Sequence, residues 1–531
     1  MKQELKKWNI VIIADAFFIS ENDTLHHTDD FRLSVNNVLM TYTNLKRYFK
    51  DRDNIYSDEQ NKINYKDLQK PYRQIKANGL HLYSLLTHNG FNVDLINCFD
   101  SNDIENWNIL NKENLIVLIS TTFLSANKVR KLVGLIKEKV NTKIVVGGTV
   151  VYQSKILYEK RNQKGFSSKE IDLYYFFRIP EIDKRVDYYI YDEHGENTLI
   201  ELLKSIINDK TPYSINLIRY ANEKLIMGDY VPEKFDINDY PISYENKYIS
   251  TTMPIAGSYG CPFKCAFCNF SRKMFSSKSL STLRNELQQI NSLRFVEQVW
   301  FTDDNFLLTG KKLEDFCNMM IKEDFNFSWR SFIRADSISS TNVKLLKKSK
   351  INMAMIGLES GSQKVLKRMN KKTSIEDFKR TFELLAEHNI DIEISVIIGF
   401  PGETEETVTE TIDLLNSIPL STDSINYLYI FPYSLIPFSE IFENREKYKI
   451  DGLFCRWNHE TMDSNNAKEM CLKVFLGTER LYMKYFDNYH GDRRKLKEIF
   501  NIRTNLMKTR ILSNNALENE LWSSLKTAIS S

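Results

Sequence analysis

The sequence predicts an α/β protein: a doubly wound, Rossmann-like N-terminal domain, then a partial (β/α)6 barrel, then a helical C-terminal region. Three observations predict it. From residue 8 to about 205, short β-branched apolar runs alternate with helical segments, the pattern of parallel strands covered on both faces. A second series of about six strand–helix units follows over residues 251–437, too few for an eight-unit barrel. The 531-residue length is more than one hydrophobic core can organise.

The elements follow in order. Within residues 1–210, "NIVIIADAFF" is a first strand and "GLHLYSLLTHNG" a helix closed by Gly90. Strands "FNVDLIN" and "NLIVLISTTF", helix "SANKVRKLVGLIKEKV", strands "TKIVVGG" and "VDYYIYD" and helix "NTLIELLKSII" come next. Residues 20–75, polar and rich in Asp, Asn and Lys, read as an insertion. Ligands of such sheets sit at the carboxyl ends of the strands, which directs attention to the loops there. Residues 211–250 read as a connector: a hairpin turning at Asn222, then an extended linker, "PEKFDINDYP", bracketed by Pro232 and Pro241. The barrel opens on "TTMPIAGSY" and closes on "SINYLYIFPYS"; residues 438–531 read as helical, "NAKEMCLKVFLGTERLYMKYF" being the clearest amphipathic piece.

Composition narrows the classes. With 42% hydrophobic and 27% charged residues the chain is of ordinary globular type. A net charge of +3 supplies no strong overall field for nucleic acid or an anionic membrane, and Arg493, Arg494, Lys495 and Lys497 read as a solvated helix face. No apolar run reaches the roughly 18 residues of a spanning helix. The first apolar run carries Asp15 and lacks a small-residue cleavage site, so it reads as a strand rather than a signal peptide. Seven cysteines, an odd number, read as thiols or metal ligands in a reducing cytoplasm.

Three of those cysteines stand in "GCPFKCAFCN", spaced C-x3-C-x2-C: Cys261, Cys265 and Cys268. A structural zinc site would be closed by a fourth ligand, and no Cys or His follows at finger-like spacing. Cys265 and Cys268 have redox-pair spacing, but Cys261 and the preceding strand suit that chemistry poorly. Three thiolates holding three irons of a cubane, with the fourth iron open to a small molecule, match the count.

With Phe267 before the third cysteine, and the loop directly after a first barrel strand, residues 253–435 resemble the radical S-adenosylmethionine (radical SAM) superfamily. The resemblance implies a [4Fe-4S] cluster on Cys261, Cys265 and Cys268. S-adenosylmethionine would chelate the open iron and be cleaved to a 5′-deoxyadenosyl radical. It also implies places for the other cofactor-binding residues: Asp304 and Asn305 at the methionine amino group and Arg334 at its carboxylate. Glu359 and Ser360 would lie near the ribose, with Gly399 and the backbone of Phe267 at the adenine. Each of these positions also suits ordinary caps and barrel packing.

The N-terminal half resembles the cobalamin-binding domains that precede many such barrels, through "KIVVGGTVV", with Gly147 and Gly148, and through "DEHGENTL". The first-strand loop departs from the D-x-H-x-x-G pattern: Phe17 and Ser20 stand where His and Gly would be, and His26 and His27 read as loop histidines. That absence is compatible with cobalamin held without a protein ligand and with a fold that has lost it. Ser120, Thr121 and Thr122 are the polar groups expected to face a corrin.

The implied activity is a cobalamin-dependent methyltransferase acting on an unactivated carbon of a peptide or natural-product intermediate. The alternative is a cobalamin-independent radical enzyme that cyclises, rearranges, epimerises or oxidises its substrate. Cys455, in "LFCRWNHETMD", is the candidate catalytic thiol, whereas Cys317 and Cys471 read as core. The expected partners are a small-molecule or peptide substrate and an electron donor such as flavodoxin or ferredoxin. Neither nucleic acid nor a membrane span is expected.

Overall fold

The computed structural model describes residues 5–17, 33–35, 38–39, 45, 49, 75–162, 175–178, 184–212, 214–221, 224–269, 274–293, 295–305, 309–421, 423–483 and 492–530. Most of the expected insertion, with His26 and His27, and the turn at Asn222 lie outside these residues.

The N-terminal sheet is built from β1 (Asn9–Ile13), α1 (Ala77–His88), β2 (Asn92–Ile96), β3 (Leu115–Ser120), α2 (Ala126–Lys139), β4 (Lys143–Gly147), α3 (Thr149–Glu159), β5 (Tyr188–Ile190) and α4 (Glu196–Ile207). A hairpin of β6 (Leu217–Ala221) and β7 (Lys224–Met227) extends it. The strand order is β7-β6-β5-β4-β3-β1-β2, and the first five strands pair in parallel. Their order, 2-1-3-4-5, is the flavodoxin-like form of the doubly wound sheet, whose topological switch point lies between β1 and β3. The strands are apolar because both faces are covered: Val11, Ile12, Val117 and Val146 are fully buried.

The second sheet comprises β8 (Thr252–Ile255), α5 (Leu280–Ser292), β9 (Gln298–Phe301), α6 (Gly310–Glu323), β10 (Ser328–Phe332), α7 (Asn342–Lys348), β11 (Ile351–Glu359), α8 (Gln363–Arg368), α9 (Ile375–Glu387), β12 (Asp391–Ile398), α10 (Glu405–Ser417) and β13 (Asn426–Pro432). Its strands follow chain order in parallel, as expected of an open barrel. Hydroxyl side chains start the helices where the sequence places them, including capping boxes at Ser374 with Asp377 and Thr404 with Thr407.

One expectation needs correction. The region after residue 438 is not purely helical: β14 (Ile450–Leu453), β15 (Arg456–His459) and β16 (Met462–Asp463) form an antiparallel sheet before α11 (Ser464–Gly477). Its strands are too short for a period to show in sequence, and its turns depend on positive φ at Lys449, Gly452 and Phe454. A further strand, β17 (Tyr482–Met483), joins the open edge of the barrel beside β13. Helices α12 (Arg493–Ile511) and α13 (Asn515–Ser530) follow; Arg493 and Arg494 are exposed, as expected of a solvated face, and Arg493 also bonds Asp391 at 2.6 Å.

The connector is bonded to both sheets. On the N-terminal side the Leu95 amide donates to the Tyr248 hydroxyl at 2.9 Å, the Ser243 amide to Ser84 Oγ at 2.9 Å, and Lys247 pairs with Asp94 at 2.6 Å. On the barrel side the Ile242 amide donates to Glu286 Oε1 at 3.0 Å and the Ser279 amide to Asn238 Oδ1 at 2.8 Å. Glu286 also holds Lys278 Nζ at 2.8 and 2.6 Å, both side chains being 1% exposed.

Removing one partner of a buried ion pair strands the other in a medium that cannot solvate it, at a cost of about 3–5 kcal/mol. Glu286→Ala is therefore expected to lower the urea midpoint by that equivalent, and Lys278→Met in the same chain to restore part of it. A second test concerns Glu403, wholly buried at the end of β12, where it accepts from the Gly399 amide at 2.5 Å. Burial pushes its carboxyl up to about 8. The folded chain then holds a proton that the unfolded chain releases near the ordinary carboxylate range. Its stabilisation is complete below that range and is lost as pH rises toward about 8. Glu403→Gln is expected to flatten the fall in denaturant midpoint across that window.

Candidate active site

The cysteine loop begins one residue beyond a two-residue strand, Ser258–Tyr259, which pairs with Ser276–Ser277. Asp303, fully buried at the end of β9, anchors its approach by accepting from the Gly257 amide at 2.9 Å and Ser258 Oγ at 2.5 Å. Burial lifts that carboxyl to about 7. Sequence reasoning chose Asp304 and Asn305 from "FTDDNF" and missed Asp303, because adjacent aspartates carry no sign of which one points inward. Asp304 is exposed, whereas Asn305 is buried and hydrogen-bonded to the Cys261 thiol.

Backbone bonds hold the far side of the loop. The Ala266 amide donates to Met369 O at 2.8 Å, Asn370 Nδ2 to Lys264 O at 2.5 Å, and the Ile441 amide to Ala266 O at 3.2 Å. The three cysteines are half-buried. Burial pushes the thiols of Cys261 and Cys265 up, with the Arg334 charge working against it at both and Lys371 at Cys265. Among the described residues, no group of three or more His, Cys, Asp or Glu closes on a single ion. Cys261 lies beside Asn305 and Arg334, and Cys265 beside Lys371 and Glu359; thiols spread in this way suit the corners of a multinuclear centre.

The strand ends after this loop bring most of the sequence candidates to one rim. Arg334 stacks on Phe263, 3.8 Å from the ring centre, and its guanidinium fork is held by Asp336 at 2.8 and 2.6 Å and by Thr373 at 3.0 Å. Glu359 ends β11 at φ +66°, a strained conformation for a residue with a Cβ, and pairs with Lys371 at 2.9 Å. Ser360, beside it, is fully buried. At Gly399, φ is +99°, and the space a Cβ would need is taken by Ala467 and Trp457 at 2.6 and 2.7 Å. The space of the absent side chain is thus filled from the C-terminal region, by β15 and α11. His459, also in β15, lies 3.0 Å from Gly399 O; burial pushes its pKa down, so the neutral ring donates to that carbonyl.

Cys455 is half-buried, 4.0 Å from Ser434 Oγ. It lines a groove of about 460 Å³ with Arg456, Trp457, Asn458, Ser464, Asn465 and Lys468, a set that shares no residue with the cysteine loop. A cavity of about 320 Å³ flanks the first barrel strand, where Asn305, Gly257, Ser258 and Lys278 are among its walls.

The carboxyl edge of the N-terminal sheet faces the same rim. Val150, at the start of α3, packs in the hydrophobic cluster that contains Ala266, Phe267, Phe400 and Trp457. His194, from "DEHGENTL", stacks on Phe235 at 3.9 Å and meets Tyr259 edge-on at 4.5 Å, while the Tyr259 hydroxyl lies 3.5 Å from Glu193. Tyr175 stacks on Phe454 and Lys160 reaches Glu443. At the switch point, Asn78 Nδ2 bonds Ser120 Oγ at 2.8 Å, and its buried Oδ1 has no protein partner. Thr122 is exposed, but Thr121 turns inward: its hydroxyl donates to Gly147 O at 3.0 Å and accepts from the Val150 amide at 3.1 Å. Gly148 passes this hydroxyl at φ +106°, where a Cβ would stand 3.1 Å from it. Gly147 has only ordinary contact with Ile190, at 3.6 Å.

Residues 255–415 match the radical SAM superfamily. Among curated proteins, the chain is 29% identical over 189 residues to the anaerobic magnesium-protoporphyrin IX monomethyl ester cyclase of Rubrivivax gelatinosus, covering 35% of this chain and 33% of the cyclase. It is 26% identical over 254 residues to an uncharacterized methyltransferase of Pyrococcus horikoshii, covering 45% of this chain and 54% of that protein. The chain thus spans a third to about half of these relatives' length. Among solved structures, the cobalamin-dependent S-adenosylmethionine radical enzyme OxsB aligns over 96% of this chain and 72% of its own, with TM-score 0.59 and 13% identity. The radical S-adenosylmethionine methyltransferase TsrM of Kitasatospora setae aligns over 71% and 76%, with TM-score 0.53 and 15% identity. With the cysteine loop at the head of a parallel barrel and the family match across it, residues 255–415 form a radical SAM domain, and the chain that carries it is an enzyme.

Proposed function

We propose that the chain is a cobalamin-dependent radical SAM methyltransferase acting on an unactivated carbon of a peptide or natural-product intermediate. The observation that carries this reading is the opposition of two strand-end surfaces. The switch-point side of the N-terminal sheet, with Asn78, Ser120 and Gly148, and the cysteine loop, with Phe267 and Tyr259, are held against one another by the Val150 and His194 contacts. Ligands of doubly wound sheets sit at that edge, so a corrin there would face the barrel rim. The unpartnered Asn78 Oδ1 fits a corrin amide, and OxsB and TsrM, aligned across both units, are described with cobalamin bound.

In this reading Cys261, Cys265 and Cys268 hold a [4Fe-4S] cluster. Asn305 and Arg334 approach the cluster-bound end of S-adenosylmethionine, with Asp304 next to them, while Glu359, Ser360, Gly399 and the Phe267 backbone border its nucleoside. When bound, the cluster supplies the electron that cleaves S-adenosylmethionine, and the corrin carries the methyl group to be transferred. The chain's task is to hold the substrate carbon against the adenosyl site and to exclude water. Asp336 already orients the Arg334 fork, and Lys371 neutralises Glu359, so these groups are positioned before a ligand arrives.

Anaerobic reconstitution is expected to load about four irons per chain. Cys265→Ala should abolish both that loading and reductive formation of 5′-deoxyadenosine. Titration with hydroxocobalamin should give a stoichiometric corrin spectrum, and Gly148→Val should weaken corrin binding by at least about tenfold through the Cβ that its position excludes. Corrin-free protein that still cleaves S-adenosylmethionine and transforms substrate would instead favour the cobalamin-independent alternative.

A further inference from the structure

The cavity of about 320 Å³ beside the first barrel strand has a lining of two kinds. Part of it is apolar: Phe275, Leu280 and Leu283 are walls, and Leu280 is exposed, as is Met274 next to Phe275 in the chain. The rest is rich in donors. Lys278 borders the cavity with its side chain only 1% exposed, and Glu286 takes two of its three ammonium protons, at 2.8 and 2.6 Å. The third has no acceptor among the described residues. Lys312, exposed on α6, adds a second cation, and Ser277 and Ser279 add hydroxyls. Asp315 is the carboxylate among these walls, and Lys311 already holds it at 2.7 Å.

We propose that this cavity binds a small amphipathic anion, a carboxylate or a phosphate monoester carried on an apolar body. The head group meets Lys278 and Lys312, where a charge-assisted bond is strongest, and the body lies along Phe275, Leu280 and Leu283. A cation would be repelled by the two lysines, and a neutral alcohol would leave their charge unanswered. At about 30 Å³ for each water-sized group, the space holds roughly ten non-hydrogen atoms, the size of a medium-chain carboxylate. Asn305 joins this cavity to the chemistry beside it: it is one of the walls, and its side chain is hydrogen-bonded to the Cys261 thiol. An occupant that restrains Asn305 is therefore felt at the cysteine loop. Binding stands on the cavity alone, whereas that coupling rests on the radical SAM reading.

The test titrates the full chain by calorimetry with octanoate, hexyl phosphate, 1-octanol and octylammonium. One of the two anions is expected to bind at least about tenfold more tightly than the alcohol or the ammonium, and which one it is assigns the head group. Lys312→Glu, at an exposed position, should weaken that anion at least about fivefold through charge, and Phe275→Ala by a similar factor through lost apolar area. Lys278 is left intact, since its loss would also unpair Glu286. In the reconstituted chain the bound anion should shift the electron paramagnetic resonance signal of the reduced cluster. Octanol binding as tightly as either anion overturns the proposal, as does unchanged anion affinity in either variant. A resonance signal indifferent to the bound anion overturns the coupling through Asn305. A chain that takes up no four-iron centre strikes the radical SAM reading instead, and the calorimetry still judges the cavity.

Discussion

The arrangement depends on a connector bonded at both ends. Residues 236–248 bond to the N-terminal sheet through Tyr248, Ser243 and Lys247 and to the barrel through Ile242 and Asn238. Two strand-end surfaces built independently, one on a doubly wound sheet and one on an open barrel, would have no reason to stay in register without it. The ion pair of Lys278 with Glu286 explains why the barrel end of this clamp is firm. Glu286 is oriented by a cation it cannot exchange for water and offers Ile242 an oxygen fixed in place.

The same logic of buried polar groups runs through the site. Asp303 fixes the approach to the cysteine loop from below, Glu403 fixes the turn after β12, and Thr121 ties the end of β3 to the start of α3. In each case one side-chain oxygen meets a backbone amide that would otherwise be orphaned on burial. These groups touch no candidate ligand contact of their own. They determine where Tyr259, Gly399 and Gly148 stand, and so where a ligand can go.

Both sheets were legible in the sequence because their strands are long, buried and separated by amphipathic helices, a pattern that leaves few alternatives. The cysteine loop was legible because three thiols at that spacing have little structural purpose without a metal centre. The strand 450–463 region was not: strands of two to four residues show no period, and their turns rest on backbone angles rather than on turn residues. Nor was the inward aspartate of the pair at 303 and 304, or the use of Gly399 by Trp457, since both depend on what arrives from elsewhere in the chain. Thr121 was read as facing a corrin because strand-end hydroxyls are generic; only the approach of Gly148 and the bond to Gly147 O show its direction.

The stacked pair of Trp457 and His459 closes over the Gly399 turn from the three-stranded sheet, tied there by Trp457 Nε1 to Tyr433 O at 2.8 Å and by His459 to Gly399 O at 3.0 Å. With Leu453, Phe454 and Met462 it is seated in the same apolar cluster as Phe400 and Tyr433. The tail thereby supplies part of the barrel's own wall, so truncating it would unroof the rim and not merely shorten the chain.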